Sequence, residues 1–371
     1  MRNLVLVISA LFAASASAAS ATPPKLLVVI SVDQLSADLF DQYRPQFTGG
    51  LARLSSGTVF RNGYQSHAAT ETCPGHSTIL TGDRPARTGI IANNWVDQSI
   101  ARVDKTVYCA EDERVAGSSS SKYTVSAEHL KVPTLGELMK RQWAASRNVA
   151  VGGKDRSAVM MAGHNADQIW YWDGKGYATN IVGVAAPVSV AATNAAIAQA
   201  IASARPVLET APFCAARARP IAIAEHAPVG GGAFARVAGD AAAFRSSPEF
   251  DGATLALSAA LVQEMKLGKG SAPDILSIGL AATDYVGHYF GTGGQEMCLH
   301  LMSLDRDLGD FFAVLDRSGV DYAVALTADH GGEDVPERLQ LQGVASAQRV
   351  DSALAASAVG KQIAAKLGLT G

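Results

Sequence analysis

The polar and apolar positions of this chain fall into a repeating order. Leu26-Leu27-Val28-Val29-Ile30-Ser31-Val32 is a nearly continuous apolar run rich in branched residues, and it predicts a strand covered on both faces, as in a parallel sheet. Asp33 ends it. Two later runs predict the same kind of strand: Ile275 to Leu280 leads to Asp284, and Tyr322 to Thr327 leads to Asp329-His330-Gly331-Gly332. A fourth, Val149-Ala150-Val151, passes through Gly152-Gly153 to Lys154. Helical patterns lie between them. Thr134-Leu135-Gly136-Glu137 has the form of a capping box, opening a helix that reaches about Trp143. Met297, Leu301, Leu304, Leu308, Phe311 and Leu315 share one helical face, with Gly319 placed to stop that helix. Trp170 to Tyr177 predicts a hairpin turning at Asp173-Gly174, and its aromatic residues are most simply packing. Strands alternating with helices imply an α/β fold, a mostly parallel sheet with helices on both faces, where ligands collect beyond the carboxyl ends of the strands. The acidic residues sit at those ends.

Composition bounds the picture without naming a partner. The 371 residues are 48% hydrophobic, enough for a large core in one or two domains. With a formal net charge of -3 and no long Lys or Arg run, no nucleic-acid binding is expected. Met1-Arg2-Asn3, the apolar Leu4 to Ala14 and the small residues Ala16-Ser17-Ala18 have the shape of a signal peptide over residues 1–19, which implies a periplasmic or secreted protein. A membrane anchor is the alternative, but the run is short for a span, and no later segment is long enough. The mature part, 20–371, is expected to be one catalytic domain with an inserted cap around 155–255, centred on an Ala-, Pro- and Gly-rich stretch from about Ala186 to Gly252. Export permits disulfides, and Cys73, Cys109, Cys214 and Cys298 admit three pairings, with a buried free thiol at Cys73 an equal reading. The oligomeric state is not legible.

Chemistry enters through histidines and carboxylates. Asp284 and His288 lie one helical turn apart, and Asp329-His330 is an adjacent pair. Either pair alone reads as a helix cap beside a core histidine. Three strand-end aspartates with two histidines instead suit an open catalytic metal cluster. In Glu71-Thr72-Cys73-Pro74-Gly75-His76, a hydroxyl precedes Pro74 and a helix beginning shortly after it, where free N–H groups favour an anion. Without metal ligands Thr72 would be a plain helix cap; coordinated to a divalent cation, its hydroxyl becomes a nucleophile. His76 is expected to buttress that helix. His67, His129, His164, His226 and His300 have no ligand partner at a telling spacing.

These motifs, taken together, resemble the alkaline phosphatase superfamily. Ile30-Ser31-Val32-Asp33, Thr72-Cys73-Pro74-Gly75-His76, Thr88-Gly89-Ile90-Ile91-Ala92-Asn93, Gly153-Lys154-Asp155-Arg156, Asp284 with His288, and Asp329-His330-Gly331 stand in that superfamily's order. The resemblance is nearest to bacterial alkaline phosphatases with a threonine nucleophile, relatives of the type I phosphodiesterase/nucleotide pyrophosphatases. It implies two zinc ions, the first on Asp33, Asp329, His330 and Thr72, the second on Asp284 and His288. It also implies attack by Thr72 on phosphorus through a phosphothreonine, with Asn93, Lys154 and Arg156 around the phosphoryl oxygens. The two cations Lys154 and Arg156 favour phosphate monoesters as substrates. Family members carry a further histidine near the carboxyl end, and this chain has none after His330. Either the chain is truncated and its second zinc site incomplete, or a ligand comes from elsewhere; a phosphodiesterase of the same superfamily and an inactive fragment that binds phosphate or metal are the rival readings.

Overall fold

Eight strands run through the described part of the chain: β1 (Leu26–Val32), β2 (Asn94–Val96), β3 (Thr106–Tyr108), β4 (Asn148–Gly152), β5 (Gln168–Trp172), β6 (Tyr177–Ala178), β7 (Asp274–Leu280) and β8 (Tyr322–Thr327). They are seen in a computed structural model that describes residues 22–61, 63–223 and 227–369. The proposed leader at 1–19 and His226 lie outside these residues. Six strands form one sheet in the order β6-β5-β4-β7-β1-β8, parallel except for β6, while β2 and β3 make a separate antiparallel pair.

Alternation along each strand divides the core in two. Val28, Ile30 and Val32 of β1, with Leu276, Ile278 and Leu280 of β7, face a cluster containing Phe250, Leu257 and Leu304. Val29 and Ile275 face the other way, onto Leu80, Met139 and Met161. One face is thus covered by helices Pro248–Glu264 and Gln295–Ser318, the opposite one by Thr72–Thr81, Leu135–Gln142 and Asp155–Ala162. The anticipated α/β layering holds.

Local signals hold as well. Thr134 and Glu137 exchange both capping-box hydrogen bonds, and Gly319 closes the long helix Gln295–Ser318 at φ +63°, a left-handed cap that glycine adopts without a side-chain clash. Trp170, Tyr171 and Trp172 are buried. Three expectations change. The β8 run is covered on one side only: as an edge strand it leaves Ala323, Ala325 and Thr327 exposed and half-buries Tyr322, Val324 and Leu326. Within 155–255, helix Asp155–Ala162 and strands β5 and β6 build the main layer, because β5 pairs directly with β4; helix Val188–Ala202 then packs outside Pro248–Glu264. Cys73 is no free thiol, since the bridges are Cys73–Cys109 and Cys214–Cys298. No helix among the described residues is long and apolar enough to cross a membrane.

Candidate active site

Register brings the acidic strand ends together. β1 lies between β7 and β8, with Val32 opposite Leu280 and Ser31 opposite Thr327, so the residues that follow these strands emerge side by side. Asp33 comes directly after β1. Asp284 lies in the first turn of helix Ala282–Phe290, which starts two residues after β7, and His288 lies one turn later. Asp329 and His330 follow β8.

Around Asp33 the positive groups are near but poorly aligned. Lys154 Nζ is 2.7 Å from Oδ2 and His330 Nε2 is 3.3 Å from Oδ1, yet neither buried oxygen receives a well-oriented hydrogen bond from the described residues. Asp329 Oδ1 accepts from the backbone N–H groups of Gln34 and His330 at 3.1 and 2.9 Å. Its Oδ2 faces His76 Nδ1 at 3.0 Å and His330 Nε2 at 3.5 Å. Asp284 accepts from Gln34 Nε2 at 3.1 Å, from Lys154 Nζ at 2.6 Å, and stands 3.2 Å from His288 Nε2. Gly75 makes this closeness possible, because a Cβ there would collide with the backbone of Asp329.

Among the described residues two trios have ligand atoms within 4.8 Å of one another: Asp33, His76 and Asp329, and Asp33, Asp284 and His330. Buried acceptors without donors are costly, and a cation among them removes that cost. The unsatisfied oxygens of Asp33 and Asp329 therefore fit a metal, and oxygen and imidazole ligands suit zinc. Electrostatics agree. Burial opposes the charge on Asp329, but His76, His330 and Lys154 hold its carboxyl down at about 2. Burial likewise opposes a charge on His330, yet Asp33 and Asp329 raise it to about 9. Burial works against the Lys154 ammonium too, and Asp33 and Asp284 more than compensate. His288 is raised mainly by its contact with Asp284.

Thr72 is buried and is itself the first residue of helix Thr72–Thr81, so the helix begins at the hydroxyl and not after it. Its Oγ1 is 3.3 Å from Lys154 Nζ. Asn93 Oδ1 accepts from the Cys73 N–H at 2.8 Å, and the Asn93 N–H donates to Glu71 at 2.6 Å. With its oxygen so engaged, the Asn93 amide presents its NH2 as the free end. Arg156 donates to the Tyr108 hydroxyl at 3.3 Å, while its Nε is buried without a partner among the described residues.

Asp33, Asp284, Asp329, His330, Thr72 and Lys154 thus meet in one place. His288 stands at its margin, with 68% of its side chain exposed. His76 does buttress its helix, through Nδ1 at 2.9 Å from the Thr72 carbonyl, but it also joins a potential ligand trio. Gln34, which ties Asp329 to Asp284, carried no motif; its left-handed φ of +68° directly after Asp33 is recognisable only in three dimensions. Tyr108, Tyr123 and Asp251 were equally silent. Asp251 accepts from the N–H groups of Ala281 and Ala282 at 2.8 and 2.9 Å, anchoring the start of the Asp284 helix.

The chain is similar to several alkaline phosphatases. Alkaline phosphatase PhoK of Sphingomonas sp is 56% identical over 353 residues, which cover 95% of this chain and 63% of that protein. Alkaline phosphatase PhoD of Zymomonas mobilis is 46% identical, over 93% of this chain and 60% of its own length. The chain therefore spans about three fifths of the length of these relatives. The crystal structure of alkaline phosphatase PafA superimposes with a TM-score of 0.78 at 27% identity, covering 94% of this chain and 70% of that one. The pattern of the type I phosphodiesterase / nucleotide pyrophosphatase family matches residues 27–360, and the chain belongs to that family.

Proposed function

We propose that this chain carries the catalytic core of an exported, zinc-dependent phosphomonoesterase, an alkaline phosphatase that acts through a phosphothreonine at Thr72. One observation carries the reading: Thr72 Oγ1 lies 3.3 Å from an ammonium, Lys154, that itself bridges two buried carboxylates, Asp33 and Asp284. A hydroxyl in a plain helix cap has no use for such a surrounding. The names of PhoK, PhoD and PafA support the same choice.

Asp33, Asp329, His330 and Thr72 would hold one zinc, and Asp284 with His288 the second, for which the described residues offer these two side chains. When bound, such ions supply Lewis acidity and favour ionised hydroxyl groups at neutral pH. The remaining work falls to the chain. Thr72 attacks phosphorus from the amino end of a helix whose free N–H groups favour the anion; its proton passes to solvent, the ester P–O bond breaks, and the alcohol leaves as an alkoxide that water protonates. The Asn93 NH2, the Lys154 ammonium and the Arg156 guanidinium meet the non-bridging oxygens, where two cations favour a dianionic monoester over a diester. Water then cleaves the phosphothreonine.

The test compares an aryl phosphate monoester with the corresponding diester in protein supplied with zinc. A strong monoester preference is expected, and Thr72→Ala should abolish phosphoenzyme formation with metal content retained. Unchanged turnover in that variant would remove Thr72 from its role. The family description favours one alternative, a phosphodiesterase. A diester preference that survives loss of Lys154 and Arg156 would select it.

A further inference from the structure

We propose that Tyr108, locked by Asp155 and Tyr123, is a positioning residue for Arg156 and so sets the preference of the site for dianionic phosphate. The inference rests on the phosphomonoesterase reading and adds to it Tyr108 and Tyr123, which lie outside every motif noted in the sequence.

The argument follows one proton. The Tyr108 hydroxyl donates to Asp155 Oδ1 at 2.7 Å. Because that is the only proton it has, the face it turns to Arg156 Nη1 at 3.3 Å is a lone pair. Asp155 cannot rotate away: Oδ2 accepts from the Tyr123 hydroxyl at 2.8 Å, and Oδ1 also takes the Arg156 backbone N–H at 2.7 Å. The two phenol rings lie 4.5 Å apart. Tyr108 is buried, and that burial raises its phenol well above the usual range, so it stays neutral and keeps its proton toward Asp155.

The placement of the phenol has a chemical consequence. A carboxylate paired directly to Arg156 would neutralise the guanidinium before any substrate arrived. Here the carboxylate is held one hydrogen bond away, and a neutral oxygen fixes the guanidinium, leaving its charge for an anion. Arg156 Nε, buried without a partner among the described residues, remains an unused donor. Tyr108 also precedes Cys109, whose disulfide reaches Cys73 beside Thr72, so one hairpin locates both the guanidinium and the neighbour of the nucleophile.

Tyr108→Phe keeps the ring and removes the acceptor. The ratio of kcat/KM for an aryl phosphate monoester to that for its diester should fall about tenfold, the scale of one hydrogen bond to a charged group. Binding of inorganic phosphate, read by calorimetry without turnover, should weaken by a similar factor. Tyr123→Phe should shift both in the same direction by less, and Tyr108→Phe should add nothing in an Arg156→Ala background. An unchanged ratio with unchanged phosphate binding overturns the proposal, as does an equal loss on both esters or full additivity with Arg156→Ala. If Arg156→Ala collapses the ratio and Tyr108→Phe does not, the positioning role alone falls. If neither moves it, the assignment of Arg156 to the phosphoryl group falls too.

Discussion

Replacing Lys154 by Met should unsettle the metal-free protein far more than a change of similar shape elsewhere in the core. Lys154 is 3% exposed, and its ammonium lies 2.7 Å from Asp33 and 2.6 Å from Asp284. Met fills nearly the same volume, so little of the loss comes from a cavity. What remains is two buried carboxylates without their common cation, and removing one partner of a buried ion pair typically costs about 3–5 kcal/mol. A stranded carboxylate can escape by taking a proton, which at pH 7 costs about 4 kcal/mol for an ordinary carboxyl and so limits the damage. That escape fixes the pH dependence. The folded variant then holds a proton that its unfolded chain releases near pH 4, so its deficit is small at pH 4 to 5 and grows as pH rises toward 7, by about 1.4 kcal/mol per unit. Urea unfolding followed by tryptophan fluorescence, in chelator, should show a loss of about 3–4 kcal/mol at pH 7. Added zinc should narrow the gap, since a divalent cation neutralises the same carboxylates. A loss below about 1 kcal/mol, or one equal at pH 5 and 7, would refute the electrostatic account of the site.

Two further predictions concern its supports. Burial raises the Asp251 carboxyl to about 7 although the Ala282 and Ala281 N–H groups pull it back, so the folded state keeps a proton that the unfolded chain loses near pH 4. Stability linked to Asp251 should therefore fall by about 3 kcal/mol between pH 4 and 7, and Asp251→Asn, which keeps the acceptor, should gain on the native protein over that window; a pH-independent difference in urea unfolding would contradict this. Asp305, on the long helix, accepts the N–H groups of Thr48, Gly49, Leu51 and Ala52 at 2.7, 2.7, 2.8 and 3.3 Å. Asp305→Ala should cost about 3–5 kcal/mol and Asp305→Asn clearly less, and a loss under about 1 kcal/mol in the alanine variant would show that water replaces the carboxylate.

The inner strands were legible because burial on both faces writes itself as an unbroken apolar run, as in β1 and β7. β8 carried the same composition at a sheet edge, where Ala323 and Ala325 face outward; composition does not record which neighbour a strand lacks. The convergence of Asp33, Asp284, Asp329 and His330 was legible because the ends of neighbouring strands come together in α/β sheets. The supporting residues were not. Tyr108 meets Asp155 across 47 positions, and Gln34 meets Asp284 across 250. Contacts of that range depend on the finished fold, and neither residue type announces its role locally. Cys73 was ambiguous for the same reason, since only folding shows which sulfur it meets.

The placement of β1 between β7 and β8 makes the site a gauge of correct assembly. A strand advances about 3.3 Å per residue, so a slip of a single rung along β7 or β8 would carry a carboxylate beyond coordinating distance of Asp33 and turn alternate side chains to the wrong layer. A cation that needs all these oxygens at once would bind only the in-step sheet, and by mass action would draw misaligned chains toward it.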